Sequence, residues 1–163
     1  MMAEGHDYFD AVAAGDGVLV RMTENAATTL AHLVSQLVAF LEREETLPGH
    51  KRLLRAMKPE DVRRRMFPDA CGSRAASDDF RARFREVLTD PAPAHRVAQR
   101  LQEPTPLLVP FDELEDWHTT MALVRALHLA TRAPDQMVVV WTKVVQEHLI
   151  VALEPKAVTG WPN

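Results

Sequence analysis

Cysteine is nearly absent from this chain: of 163 residues, only Cys71 carries a thiol. One thiol excludes an intrachain disulfide, so stability does not require an oxidising compartment. The six glycines are scattered, which excludes a glycine-rich phosphate loop, and no nucleophile elbow or Cys-His arrangement appears. No apolar run approaches the roughly 20 residues of a membrane span. The longest, Met137 to Val145, is interrupted by Thr142 and Lys143. A basic signal-peptide start is also missing, because Glu4, Asp7 and Asp10 precede any hydrophobic stretch. These absences lead us to expect a cytoplasmic protein that is neither exported nor membrane-bound.

What is present fits one ordinary folding unit. The composition is 47% hydrophobic and 26% charged, too apolar for a disordered chain. A chain of about 150 residues can bury roughly 70% of its unfolded surface. The net charge of −4 hides a change of sign along the sequence. Residues 1–50 sum to −6, residues 51–100 to +6 and residues 101–163 to −4. The densest basic block holds Lys51, Arg52, Arg55, Lys58, Arg63, Arg64 and Arg65 against Glu60 and Asp61. Binding surfaces respond to such local potential more than to net charge.

Periodicity and breakers predict a mostly α, single-domain helical bundle with a small two-stranded β element. Residues 1–16 read as a loose or shortly paired N-terminal arm, punctuated by Gly15-Asp16-Gly17. Residues 17–154 form the helical domain and 155–163 a tail. Gly17 to Met22 suits a strand. Thr23 suits the N-cap of a helix with Leu30, Leu33, Val34, Leu37, Val38 and Leu41 along one face. Pro59 opens a basic helix that Pro68 stops, and Ser77 caps a helix over Asp78 to Leu88. Asp90-Pro91-Ala92-Pro93 breaks the chain before a short helix, Ala94 to Gln102. Leu107 to Val109 is proline-flanked and fits an edge strand that can pair with Val18 to Met22. Asp112 can cap a helix from Glu113 to about Arg132, with Leu114, Trp117, Met121, Val124 and Leu127 inward. Gln136 to Leu153 is strand-like by propensity but helix-like by spacing. The spacing favours helix.

No catalytic residue, metal site or cofactor is expected. His118 and His128 are about 280° apart on their helix and cannot share an ion. These two, with His32 and His148, read as helix-surface or boundary residues. Asp112, Glu113, Glu115 and Asp116 crowd a helix start, where they complement its dipole. The block around Arg63-Arg64-Arg65 can meet phosphates or an acidic protein, or can be a solvated face balanced by nearby acids. The helix pair around Asp90 to Pro93 is compatible with a helix-turn-helix presenting Arg96, Gln99 and Arg100. The candidate partner-binding residues are therefore Lys51, Arg52, Arg55, Arg63, Arg64, Arg65, Arg96 and Arg100. Cys71, in a turn near Arg65 and Arg74, is the candidate redox residue, set against the commoner role of a small buried hydrophobe.

Four segments, taken in order, resemble the actinobacterial AosR-type oxidative-stress regulators, formerly a domain of unknown function. They are Gly17-Val18-Leu19-Val20-Arg21, Arg65-Met66-Phe67-Pro68-Asp69-Ala70, the Phe80-Arg81 and Phe84-Arg85 helix, and Trp117 with Trp141 to Leu149. The resemblance implies a cytosolic transcription regulator that responds to redox state and acts with RNA polymerase or its sigma factor. It also implies a gene neighbourhood shared with a Clp protease adaptor and cysteine biosynthesis. Around Leu123 to Arg132 the family pattern is blurred, and a disulfide switch is impossible with Cys71 alone. Regulation, through RNA polymerase, sigma factor or DNA, is the leading expectation. A non-DNA adaptor tied to Clp proteolysis is the alternative, and self-association is compatible with either.

Overall fold

A computed structural model of the chain describes residues 9–46, 58–66, 75–76, 79, 90–131 and 134–153. The expected helix over Asp78 to Leu88, except for Asp79, and the Phe67 to Ala70 turn, Cys71, Lys51, Arg52 and Arg55 lie outside the described residues.

The first described element starts inside the segment read as an arm. Gly15 has φ of +60°, and glycine takes that conformation at no steric cost at the first central position of a tight hairpin turn. The turn folds β1 (Phe9–Ala14) back on β2 (Gly17–Met22), with Phe9 opposite Met22 and Ala14 opposite Gly17. β3 (Leu107–Pro110) adds to the other side of β2, with Val18 opposite Val109 and Val20 opposite Leu107. The sheet is thus three-stranded and antiparallel, in the order β1-β2-β3. It corrects the expected two strands, while the expected pairing of β2 with a proline-flanked edge strand is present. Strand alternation buries Val18, Val20, Leu107 and Val109 and turns Arg21 outward. There Arg21 is ion-paired with Asp10, directly across the ladder. At Gly17 the strands approach so closely that a Cβ would collide with the Val109 carbonyl.

Helix α1 (Glu24–Arg43) begins as its sequence requires: the Ala26 amide donates to Thr23 Oγ1 at 3.1 Å, and Glu24 sits in the positive first turn. Its buried face is Ala26, Leu30, Leu33, Val34, Leu37 and Phe40. Val38 and Leu41 are only half-buried, so the stripe is rotated toward Phe40. The helix ends at Glu44, whose φ of 58° is left-handed.

Helix α2 (Pro59–Met66) buries Val62 and Met66. α3 (Ala92–Arg100) starts two residues earlier than expected, because the prolines open it instead of breaking it: Pro93 lies in the first turn, where a missing amide costs nothing. The Ala92 amide donates to Asp90 Oδ1 at 3.0 Å. A short 3₁₀ turn, Phe111–Glu113, precedes α4 (Leu114–Leu129). Asp112 therefore lies within that turn and is not the expected cap, and α4 stops before Arg132. The inward residues of α4 are as expected, with Trp117, Met121 and Val124 fully buried.

Helix α5 (Gln136–Leu153) resolves the strand-or-helix question in favour of spacing. Asp135 Oδ1 accepts from the Met137 amide at 3.0 Å and so caps the first turn. Trp141, Val145, Leu149 and Ala152 face the core. Over its 18 residues α5 has a mean hydropathy of 1.2, long and apolar enough by composition to cross a membrane. Its apolarity serves packing on one side, against α4 and β1. α4 is the hub of the described helices, touching α1, α2, α3 and α5. The architecture is mostly helical, but the helices close over a sheet and do not form a bundle by themselves.

Candidate partner-binding surface

The two described basic regions are α2 and α3, and the environment of their arginines differs. On α2, Val62 and Met66 lie four apart and anchor one face against α4. Arg63 is half-buried beside them. Its guanidinium lies 5.8 Å from the centroid of the Phe40 ring and is ion-paired with Glu44. Arg64 and Arg65 are exposed, as are Lys58, Glu60 and Asp61. The acids occupy the first turn and the arginines the last, which is the order the helix dipole favours. Glu60 precedes Arg64 by four residues, and Asp61 precedes Arg65 by four, which partly offsets the positive charge of that face.

On α3 the arginines are engaged by carboxylates of the protein itself, Arg96 at the surface and Arg100 half-buried. Arg96 Nε and Nη2 donate to the two carboxylate oxygens of Asp116 at 2.7 and 2.9 Å. Arg100 Nε and Nη2 donate to Glu113 at 3.0 and 2.5 Å, and its Nη1 donates to Glu103 at 3.0 Å. Each fork is bidentate, the arrangement that matches planar guanidinium to carboxylate. The hydrogen bonds to Asp116 and Glu113 raise both guanidinium pKa values above the ordinary arginine value. The expected outer face of a recognition helix is therefore spent on joining α3 to the start of α4. Two of the four acids read as dipole partners, Glu113 and Asp116, are also ligands for these forks. Arginines four apart on one helix facing acids three apart on the next were a legible signal for this clamp.

The histidines are dispersed, and among the described residues no three metal-ligating side chains gather. His32 is exposed, and His95 is bonded to Glu42. His148 shares a hydrogen bond with the Val144 carbonyl at 2.8 Å and meets the edge of Phe9, ring centroids 6.2 Å apart. His128 is buried, not superficial, because α4 is enclosed on most of its circumference.

A polar contact inside the α4–α5 interface had no sequence signal. Buried Gln146 donates through Nε2 to the His118 carbonyl at 2.9 Å, and its Oε1 accepts from Arg125 Nη1 at 2.5 Å. This satisfies both ends of the amide and fixes the rotation of α5.

Residues 6–153 match the model of a domain of unknown function, DUF2017. The chain belongs to the DUF2017 family. The match begins ahead of β1 and ends at the last residue of α5, so the hairpin is part of the DUF2017 domain. No curated protein and no solved structure matches the chain.

Proposed function

We propose that this DUF2017 protein is a regulator of the AosR-type oxidative-stress class that acts by docking its α2 face on an acidic surface of RNA polymerase or a sigma factor. The carrying observation is the outward placement of Arg64 and Arg65 on a short helix whose other face is pinned to α4. Exposed, preorganised arginines suit capture of carboxylates by a partner. The same basic block continues in sequence through Lys51, Arg52, Arg55 and Lys58. The ordered segments shared with AosR-type regulators supply the choice of partner.

A protein partner is favoured over DNA by the fate of α3. Arg96 and Arg100 are already paired with Asp116 and Glu113, so phosphates would have to compete with these carboxylates for them. The same observation keeps the non-DNA adaptor, linked to Clp proteolysis, as the second reading. Cys71 enters neither reading as an intrachain switch, since a lone thiol has no second cysteine in the chain to pair with.

The test is binding of purified RNA polymerase, sigma factor, Clp adaptor and promoter DNA to the wild type and to Arg64→Ala/Arg65→Ala. The double variant should lose polymerase or sigma binding while its helical circular dichroism is unchanged. Undiminished binding to polymerase and sigma factor alike would refute the reading, and loss confined to the Clp adaptor would replace it by the second.

A further inference from the structure

The side of α5 turned away from the core is strongly apolar. Val140 is 58% exposed, Ile150 45% and Val151 50%. A water-facing helix side is ordinarily polar, and contiguous exposed apolar surface marks an interaction site. The middle of this side carries two charges, Lys143 and Glu147, both exposed.

The arrangement has a symmetry that identifies its occupant. Lys143 and Glu147 stand two residues before and after Val145, and Val140 and Ile150 five. If two copies of α5 cross antiparallel with a twofold axis level with Val145, each residue meets its counterpart at the same height. Lys143 then lies beside the partner's Glu147, and Glu147 beside the partner's Lys143. Val140 approaches the partner's Ile150. A twofold interface must be self-complementary in this way, and here both charge and apolarity satisfy it. A lipid surface fits poorly, because it would take Lys143 and Glu147 out of water. Support of the helix itself is a weak reason for the pair, because lysine preceding glutamate by four residues is the less favourable order.

We propose that the exposed face of α5 is a homodimer interface, formed by antiparallel packing on a second copy of this chain and keyed by two symmetric Lys143–Glu147 ion pairs. It lies on a different helix from the α2 arginines, so the two surfaces can be tested apart.

Sedimentation equilibrium of the full chain should show a monomer–dimer equilibrium. Lys143→Glu alone, or Glu147→Lys alone, sets like charges against each other across the axis. Each should weaken the dimer by about a hundredfold, since like-charge juxtaposition at an interface costs several kcal/mol. Mixed in equal amounts, the two variants present opposite charges again and should form a heterodimer that neither variant forms by itself. Val140→Asp should abolish dimerisation with helical circular dichroism retained. A wild type that stays monomeric at all concentrations, or a dimer indifferent to these substitutions, overturns the proposal. So does a monomer that binds anionic phosphatidylglycerol vesicles through Val140.

Discussion

α2 and α3 are both short helices with arginine in their last turn, and both pack against α4. In α3, carboxylates at the start of α4 lie opposite the arginines and bind them in forks. In α2 the corresponding flank faces solvent, and only Arg63 is drawn into the protein. Arginines on a short helix therefore form a clamp in one place and an available surface in the other. The difference lies in what the neighbouring element presents, not in the helices themselves.

The largest effect comes from breaking the floor on which both regions rest. Trp117 is fully buried on α4, and Trp117→Ala should cost about 3–5 kcal/mol through lost packing and a cavity, read as a lower urea midpoint. Next is the clamp. Arg100→Ala should cost about 1.5 kcal/mol, because partly shielded charge-assisted bonds exceed those of exposed pairs. A double-mutant cycle with Glu113→Ala should show coupling, and simple additivity would mean that the fork contributes nothing.

Arg63 is the intermediate case. Arg63→Ala removes a partly shielded ion pair and the contact with Phe40, for about 0.5–1 kcal/mol. The smallest stability change belongs to Arg64→Ala/Arg65→Ala, within about 0.5 kcal/mol as for other exposed sites, yet this variant should show the largest loss of partner binding. Finding the reverse order, with a silent Arg100 and a destabilising Arg64, would dissolve the distinction between clamp and surface.

Much of the fold was legible because its signals are local. The apolar spacing of α4, the Thr23 cap and the β-branched run of β2 each depend on neighbours a few residues away. β1 was not legible: Phe9-Asp10-Ala11-Val12-Ala13-Ala14 has little intrinsic strand preference and becomes a strand by pairing with β2. The α1 face drifted toward Phe40 for a similar reason, since the tertiary neighbours decide which edge of a stripe is covered. At the candidate sites, sequence identified the basic residues but not their partners. Arg96 and Arg100 looked available until α4 placed Asp116 and Glu113 against them.

By itself the sequence determined the helical class, the inward residues of α4, the pairing of β2 with an edge strand, and the impossibility of an intrachain disulfide. These follow from short-range sterics, hydrophobic period and residue count. Only the tertiary structure decided which arginines remain outward, that His128 and Gln146 are enclosed, and that α5 keeps an apolar side in water. Those outcomes depend on which groups distant in sequence meet. The energy of a charge or an apolar side chain is set by the surroundings it is folded into.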